Sequence, residues 1–305
     1  MMIVRDLPQA RSGTDNQNRP PQAAENDRIA WESLSHAHPL VRALVETTRT
    51  AGSLALGFFR SGEKTSAAIS YKAGGSPVTE ADEAVNCYLE RELRNLLPSA
   101  AWLSEESVDS FERLAQDLVW VIDPIDGTKG FAAGLPTWAV AVALVFRSRP
   151  IVGIIHAPAV TQTYVAVKNC GARLNDGEIH VSDLPKLLAG AKVAGPQRLA
   201  QNLHAAGLSF DLLPKIPSLA LRIAHVAAGA LDAALVSENS HDWDIAAADL
   251  ILHEAGGLLT SLDGDAPTYN RRDTRHGILV AAPLPIVAQI HAAASRPSTN
   301  ETRES

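Results

Sequence analysis

The sequence predicts an α/β protein, with an α+β first half and an α/β second half. Two observations carry that reading. Up to about Leu184, long apolar runs rich in Val, Ile and Ala follow two stretches of helical periodicity. Beyond it, shorter helical patterns alternate with short apolar strands. The 305 residues are enough for one large domain or two subdomains around a sizeable core.

Residues 1–28, polar and scattered with prolines and acids, read as a disordered tail; they lack the apolar segment of a signal peptide. An α+β part is expected over 29–185, an α/β part over 186–294, and a polar tail over 295–305. From Pro39 to about Arg60, Leu40, Leu44, Leu54 and Phe58 recur at helical spacing. "GGSPVTEADEAVNCYLERELRNLLP" gives a Gly-rich turn, Thr79 as N-cap, and a helix stopped by Pro98. "AAWLSEES" reads as a short strand entering a polar turn, and "DLVWVID" as a buried strand ending at Asp123. "TWAVAVALVF" and "PIVGIIHAP" are two further strands with a tight turn around 147–149, and "TYVAVKNCGARLNDGEIHVS" continues as short strands around a DG turn. Helices follow at 218–231 and 242–255, with "DAALVS" and "GILVAA" as strands between and after them.

Hydrophobic content of 46% and charged content of 20% are ordinary for a soluble globular protein. The net charge, 27 − 34 = −7, argues against a nucleic acid polymer as partner. A small phosphorylated ligand stays open, because a metal can reverse the local charge of an acidic site. Cys87 and Cys170 have no metal-type spacing, so a reducing cytoplasm is the expected location. No apolar run of about 18 residues occurs, and no membrane insertion is expected. Walker loop, GxGxxG and nucleophile elbow are all missing, which argues against ATPase, dehydrogenase and serine hydrolase chemistry.

The chemistry concentrates in "WVIDPIDGTKGF". Asp123 and Asp126 stand three residues apart around Pro124, followed by Gly127 and Thr128. A strand ending at Asp123 delivers its carboxylate to a sheet edge. Pro124 forces an irregular backbone that lets the Ile125 carbonyl point the same way, and Gly127 permits a turn with open N–H groups. Hard oxygens suit Mg²⁺, and free N–H groups suit a phosphate. Alone, the stretch reads equally as a DG turn with incidental acids. Glu105 and Glu106 of "LSEES" read alone as a solvated turn, and Asp244 of "HDWDIAAAD" as an acid complementing a helix dipole. The small side chains of Ala246–Ala248 would let that helix approach another backbone closely.

Together, Asp82 in "SPVTEAD", the "EE" pair, "DPIDGT" and "WDIAA" resemble the signature of the inositol monophosphatase superfamily, over roughly residues 40–285. The resemblance implies a layered αβαβα sandwich and a Mg²⁺-dependent, lithium-sensitive phosphomonoesterase acting on a small phosphorylated metabolite by direct attack of water. It implies Glu105, Asp123, Asp126, Asp244 and the carbonyl of Ile125 as metal ligands. Glu105 and Thr128 would orient and deprotonate a metal-held water, with Asp82 holding the Thr128 hydroxyl. Gly127 and Thr128 would grip the phosphate through their N–H groups, Lys72 would be the basic residue near the site, and Glu106 would lie just outside the ligand set. Members are often homodimers, a state left open here.

For the substrate, "DPIDGTKGF" with Lys129 and Phe131, "KAGGSPVTEAD" and the segment 217–250 resemble the CysQ-type 3′(2′),5′-bisphosphate nucleotidases. The implied reaction converts adenosine 3′,5′-bisphosphate to AMP and phosphate, a step in sulfur metabolism. Inositol-1-monophosphatase is one alternative; histidinol-phosphate phosphatase is another, which "GLPTWAVAVAL" resembles. "VSENSHD" is read as a specificity loop with Asn239, Ser240 and His241 as candidate substrate contacts, against the alternative of an ordinary polar loop. A non-catalytic phosphoester-binding regulator would show damaged ligands or a lost Thr128, and all are present.

Overall fold

A computed structural model describes residues 33–72 and 74–294; the tails expected at 1–28 and 295–305 lie outside them, as does the expected start of order near Ile29. The first helix, α1 (Pro39–Leu56), is opened by Pro39 in its first turn and by His38, whose Nδ1 accepts the Leu40 N–H at 3.2 Å. β1 (Ile69–Tyr71) and β2 (Pro77–Thr79) form an antiparallel hairpin that runs into α2 (Glu80–Leu96). Thr79 caps α2 as the sequence predicts, and Asp82 Oδ2 accepts the Thr79 N–H in return at 2.8 Å.

Seven strands then build the larger sheet in chain order: β3 (Ala101–Ser104), β4 (Leu118–Asp126), β5 (Ala139–Phe146), β6 (Arg149–Ala157), β7 (Gln162–Val167), β8 (Ala172–Leu174) and β9 (Gly177–Ile179). The short helix α3 (Thr128–Ala132) follows β4. Within this seven-stranded sheet only the β3–β4 pair is parallel. The rest of the chain adds β10 (Lys192–Ala194), α4 (Gln197–Ala205), β11 (Asp211–Leu212), α5 (Leu219–Ala227), β12 (Ala233–Val236), β13 (Ser240–His241) and α6 (Asp242–Glu254). It ends with β14 (Gly257–Ser261), β15 (Arg275–His276), β16 (Leu279–Pro283) and α7 (Leu284–Ala294). Five of these strands form a sheet in the order β11-β10-β12-β16-β14, and β13 pairs with β15 as a separate ribbon.

Strand alternation sets the layers. On β4, Leu118, Trp120 and Ile122 enter a core with Leu44 of α1 and Leu89 of α2. Val119 and Val121 face the other way, into a core with Ile223 of α5 and Ile245 of α6. The second sheet closes that central core with Ala234 and Val236, and turns Val193, Leu235 and Val280 toward Leu203 of α4 and Ile286 of α7. The order is therefore α–β–α–β–α, the layered sandwich that the sequence resemblance implies. Small residues bring the layers together: Ala139, Ala141 and Ala143 of β5 line the central core with Ala246–Ala248 of α6. A Cβ on Gly153 of β6 would stand 2.6 Å from the Ala247 carbonyl oxygen.

Three local expectations shift. The strand expected to stop at Asp123 continues to Asp126. The turn expected at Asp-Gly lies one residue earlier, with Asn175 (φ 46°) and Asp176 (φ 69°) at its centre and Gly177 already in β9 opposite Leu174. Both central positions of such a turn need positive φ, which Asn and Asp tolerate, and this register keeps Ala172 buried. The helix expected over 218–231 ends at Ala227, because Gly229 (φ 67°) turns the chain back and the Ala230 N–H reaches the His225 carbonyl at 2.9 Å. Cys87 and Cys170 are free thiols, and no described helix is long and apolar enough to cross a membrane.

Two outcomes follow from this packing. Gly153→Ala should lower unfolding stability by about 1–3 kcal/mol, seen as a lower urea midpoint, because backbone rather than a flexible side chain blocks the added methyl. Asp249 of α6 accepts the Tyr269 hydroxyl at 2.8 Å, and burial pushes its carboxyl up to about 6. The folded state then holds a proton that the unfolded state releases from about pH 4, so stability falls as pH rises from 4 to 6. Asp249→Asn should remove that slope, gaining roughly 3 kcal/mol on the wild type across the window; parallel stability curves for the two proteins would contradict it.

Candidate active site

Side chains three apart in a regular strand point to opposite faces. Asp123 and Asp126 escape this rule because β4 carries a bulge between them: Asp123 sits opposite Ala141 and Asp126 opposite Ala139, leaving one extra residue on the β4 side. Pro124 suits the irregularity, since it has no N–H to lose from the ladder. Ile125 keeps its side chain in the outer core beside Ile122, and both aspartates turn toward the helices of the central layer. Gly127 (φ 94°) then reverses the chain so close to Ser218 that a Cβ would lie 3.0 Å from the Ser218 nitrogen.

That approach seats Asp126 on the N-terminus of α5. The Ser218 hydroxyl donates to Asp126 Oδ2 at 2.5 Å, the Ala220 N–H to Oδ2 at 2.6 Å, and the Leu219 N–H to Oδ1 at 3.1 Å. Ser218 also caps the helix, accepting the Leu221 N–H at 3.0 Å. Asp244, in the first turn of α6, accepts the His241 N–H on Oδ2 at 2.6 Å. Asp123, Asp126 and Asp244 thereby bring one carboxylate oxygen each within 4.8 Å of the others.

Among the described residues, hydrogen bonds compensate this cluster only in part. Asp123 is buried, and its Oδ1 has no hydrogen-bond partner among the described residues. Desolvation, then the charges of Glu105, Asp126 and Asp244, push its carboxyl well above the usual range; desolvation and Asp126 do the same to Asp244. Asp126 rises less, to about 6: burial raises it, while Ser218, Ala220 and Leu219 favour the charged form. Three converging hard oxygens, together with an unpartnered buried oxygen on Asp123, fit a divalent cation of the Mg²⁺ or Ca²⁺ kind.

The remaining acids stand around this centre. Glu105 and Glu106 leave β3 in a turn held by Ser104, whose hydroxyl donates to Asn86 Oδ1 at 2.7 Å, and by the Glu105 N–H on the Ile122 carbonyl at 3.2 Å. Lys72 Nζ bridges both carboxylates at 2.8 Å. Burial opposes the lysine's charge, but the Glu105 and Glu106 pairing outweighs it and raises the pKa. Glu106 is pushed to about 7 by burial, with Lys72 pulling down and Glu105 pushing up. Thr128 opens α3, and its hydroxyl stands 3.1 Å from Asp82 Oδ1 and 3.0 Å from the Ile125 carbonyl, able to donate to either. Asp82 takes the Thr79 hydroxyl on its other oxygen at 2.6 Å, and burial raises its carboxyl against those bonds.

A family model described as "Inositol monophosphatase family" matches residues 36–300. The chain belongs to the inositol monophosphatase family. It is 31% identical over 237 residues to inositol monophosphatase 2 of Solanum lycopersicum, covering 73% of this chain and 88% of that protein. It is 30% identical over 253 residues to the 3′(2′),5′-bisphosphate nucleotidase CysQ of Aggregatibacter actinomycetemcomitans, covering 77% and 89%. Its structure superposes on the crystal structure of extragenic suppressor protein SuhB from Bartonella henselae with a TM-score of 0.73 at 25% identity, covering 85% and 99%. Membership makes the chain a phosphatase; identities of 31% and 30% to differently named relatives leave the substrate to the site's own chemistry.

In this inositol monophosphatase family member, the structure brings Asp123, Asp126 and Asp244 together, with Glu105 and Asp82 near enough for their charges to act on Asp123, Thr128 joining Asp82 to the Ile125 carbonyl, and Lys72 pairing Glu105 with Glu106. The three loop candidates part company. His241 is half-buried, stacks on Trp243 at 4.4 Å with the rings 3° from parallel, and places Nδ1 2.8 Å from Thr274 Oγ1. Glu105 is close enough for its charge to raise the imidazole's proton affinity, against the larger lowering by burial. Ser240 is buried with an unpartnered hydroxyl, and Asn239 is exposed in the preceding turn at φ 69°. Lys129 is exposed. The reading of the sequence missed Ser218 and Asn86. Ser218 precedes a helical run, which is an N-cap signal, but its partner Asp126 lies 92 residues away.

Ser218→Ala removes both a helix cap and the shortest hydrogen bond to Asp126. It should cost about 1 kcal/mol of stability by urea unfolding and weaken Mg²⁺ binding about tenfold by calorimetry; unchanged Mg²⁺ affinity would show that the α5 N-terminus does not position Asp126.

Proposed function

We propose that this phosphatase is a Mg²⁺-dependent 3′(2′),5′-bisphosphate nucleotidase, converting adenosine 3′,5′-bisphosphate to AMP and phosphate. The observation that carries the metal-dependent mechanism is the Asp123–Asp126–Asp244 cluster with its buried, unpartnered oxygen, set beside the Thr128–Asp82 hydrogen bond. Asp123, Asp126 and Asp244 would hold Mg²⁺ together with Glu105 and the carbonyl of Ile125. When bound, the ion supplies positive charge for the phosphate oxygens and makes a neighbouring water more acidic. Li⁺, also a small hard cation, would compete for the same oxygens.

The protein's own groups do the rest. Gly127 and Thr128 receive the phosphate at the start of α3. Glu105 and Thr128 orient the attacking water; Thr128 Oγ1 takes its proton as the Thr128 hydroxyl proton passes to Asp82 Oδ1, a carboxyl that burial already inclines toward protonation. The water oxygen bonds to phosphorus as the ester bond opposite breaks, and the departing ribose oxygen takes up a proton from solvent water. Direct attack is the route because no group of the cluster is set up as a covalent nucleophile.

For the nucleotide, support comes from the "KAGGSPVTEAD" and "DPIDGTKGF" motifs, from the CysQ relative, and from the His241–Trp243 stack beside the acids, a flat aromatic edge suited to a nucleobase. The segment resembling histidinol-phosphate phosphatases carries Trp138, which is buried edge-on against Phe131 at 4.9 Å; that resemblance lies partly in the core.

Phosphate release from adenosine 3′,5′-bisphosphate, inositol 1-phosphate and histidinol phosphate, with and without Mg²⁺ and Li⁺, tests the reading. The nucleotide should be preferred at least tenfold in kcat/KM, with Li⁺ inhibiting; preference for either other ester overturns the substrate. Asp123→Asn should lose Mg²⁺ affinity and more than about 100-fold in kcat together, and retained activity at ordinary Mg²⁺ overturns the metal centre.

A further inference from the structure

The loop leading into β15 concentrates positive charge in a chain of net charge −7: Arg271, Arg272 and Arg275 fall within five residues. Two of the three shape the loop or its surroundings. Arg271 donates to the Thr268 carbonyl at 3.0 Å and to the Arg275 carbonyl at 2.9 Å, and Arg272 lies over the Phe111 ring at 4.9 Å. The Arg275 guanidinium, by contrast, forks onto Asp273 alone, Nε to Oδ1 and Nη2 to Oδ2 at 2.9 Å each, with both side chains more than half exposed.

The backbone beneath Arg275 is pinned. Arg275 lies directly opposite His241 in the β13–β15 ribbon, which puts their Cβ atoms about 5 Å apart on one face. The His241 N–H is bonded to Asp244, and its Nδ1 to Thr274. The next residue, His276, points the other way and pairs with buried Asp242 at 2.8 Å, while the Asn270 N–H takes the second oxygen of Asp242 at 2.8 Å. The charges of Glu105 and of Arg275 both act on the His241 imidazole, in opposite directions. Arg275 is thus an exposed cation on a fixed strand, directly opposite the residue whose N–H is bonded to Asp244.

We propose that Arg275 reads the second, non-scissile phosphate of a bisphosphate substrate, exchanging Asp273 for that phosphate when the substrate binds. The inference rests on the bisphosphate nucleotide reading above. A guanidinium fork accepts carboxylate and phosphate in the same bidentate geometry, and a phosphate dianion is the stronger partner. The exposed pair with Asp273 contributes little to stability, so giving it up costs little. Asp273 keeps Arg275 aimed and its charge screened until the second anion arrives. An ester with one phosphate offers Arg275 nothing to exchange for.

Steady-state kinetics on adenosine 3′,5′-bisphosphate and adenosine 3′-phosphate test this in the wild type, Arg275→Ala, Arg275→Lys and Asp273→Asn. Arg275→Ala should reduce the kcat/KM preference for the bisphosphate about 10- to 100-fold, through KM rather than kcat. Arg275→Lys should keep part of the preference, as a point charge without the fork. Asp273→Asn, which frees the guanidinium, should increase the preference severalfold. A wild type that prefers the bisphosphate while Arg275→Ala keeps the same ratio overturns the inference and spares the substrate reading. A wild type with no such preference overturns both. If Arg275→Ala does not fold, an unchanged ratio in Asp273→Asn overturns the inference on its own.

Discussion

Three carboxylates with one oxygen each within 4.8 Å of the others, one of the acids carrying a buried oxygen with no hydrogen-bond partner among the described residues, are the constraint around which the molecule is arranged. Desolvation and mutual repulsion both oppose ionising them together, as the raised proton affinities of Asp123 and Asp244 record. The convergence therefore has to be imposed by the surrounding structure. A bulge in β4 puts two of the acids on one face of a strand, and the alanine-lined seam between β5 and α6, with Gly153 against Ala247, carries the third up to them.

Helix N-termini supply most of the compensation that the protein itself offers. Asp82 sits in the first turn of α2, Asp126 on the first turn of α5 and Asp244 in the first turn of α6. Each accepts backbone N–H groups there, and the positive end of each helix dipole favours the charged carboxylate. One helix comes from the outer layer and two from the central layer, so the layered architecture is what aims three dipoles at one place. Lys72, bridging Glu105 and Glu106 from the end of the β1–β2 hairpin, adds a full charge at the rim. A bound divalent cation would supply the remainder, which makes the metal centre and the fold's electrostatic balance parts of the same problem.

What the sequence revealed about this arrangement follows the range of the interactions. The Thr79 cap of α2 was legible from "SPVTEAD" alone, while the return bond from the Thr79 N–H to Asp82, only three residues away, was not. The acids of "EES", "DPID" and "HDWD" were legible as a set through the family resemblance, and the run Ala246–Ala248 announced a close approach, though not the strand that receives it. Pro124 flagged an irregular backbone, but no local signal said that the strand resumes beyond it to Asp126. Ser218, 92 residues from Asp126, and His276, 34 residues from Asp242, act through contacts that only the folded chain creates. The strands β10, β11 and β14 are five residues or fewer, too short for periodicity to speak, and α4 and α7 went unmarked beside them.

Equilibrium unfolding of the wild type and Asp123→Asn near pH 7, each with and without Mg²⁺, tests most directly whether the fold carries an electrostatic deficit that a cation fills. Without divalent cation the variant should be the more stable of the two, because one repelling charge is gone. Mg²⁺ should then raise the unfolding midpoint of the wild type and leave that of the variant nearly unmoved. A wild type indifferent to Mg²⁺, or a variant less stable than the wild type in its absence, would contradict the account.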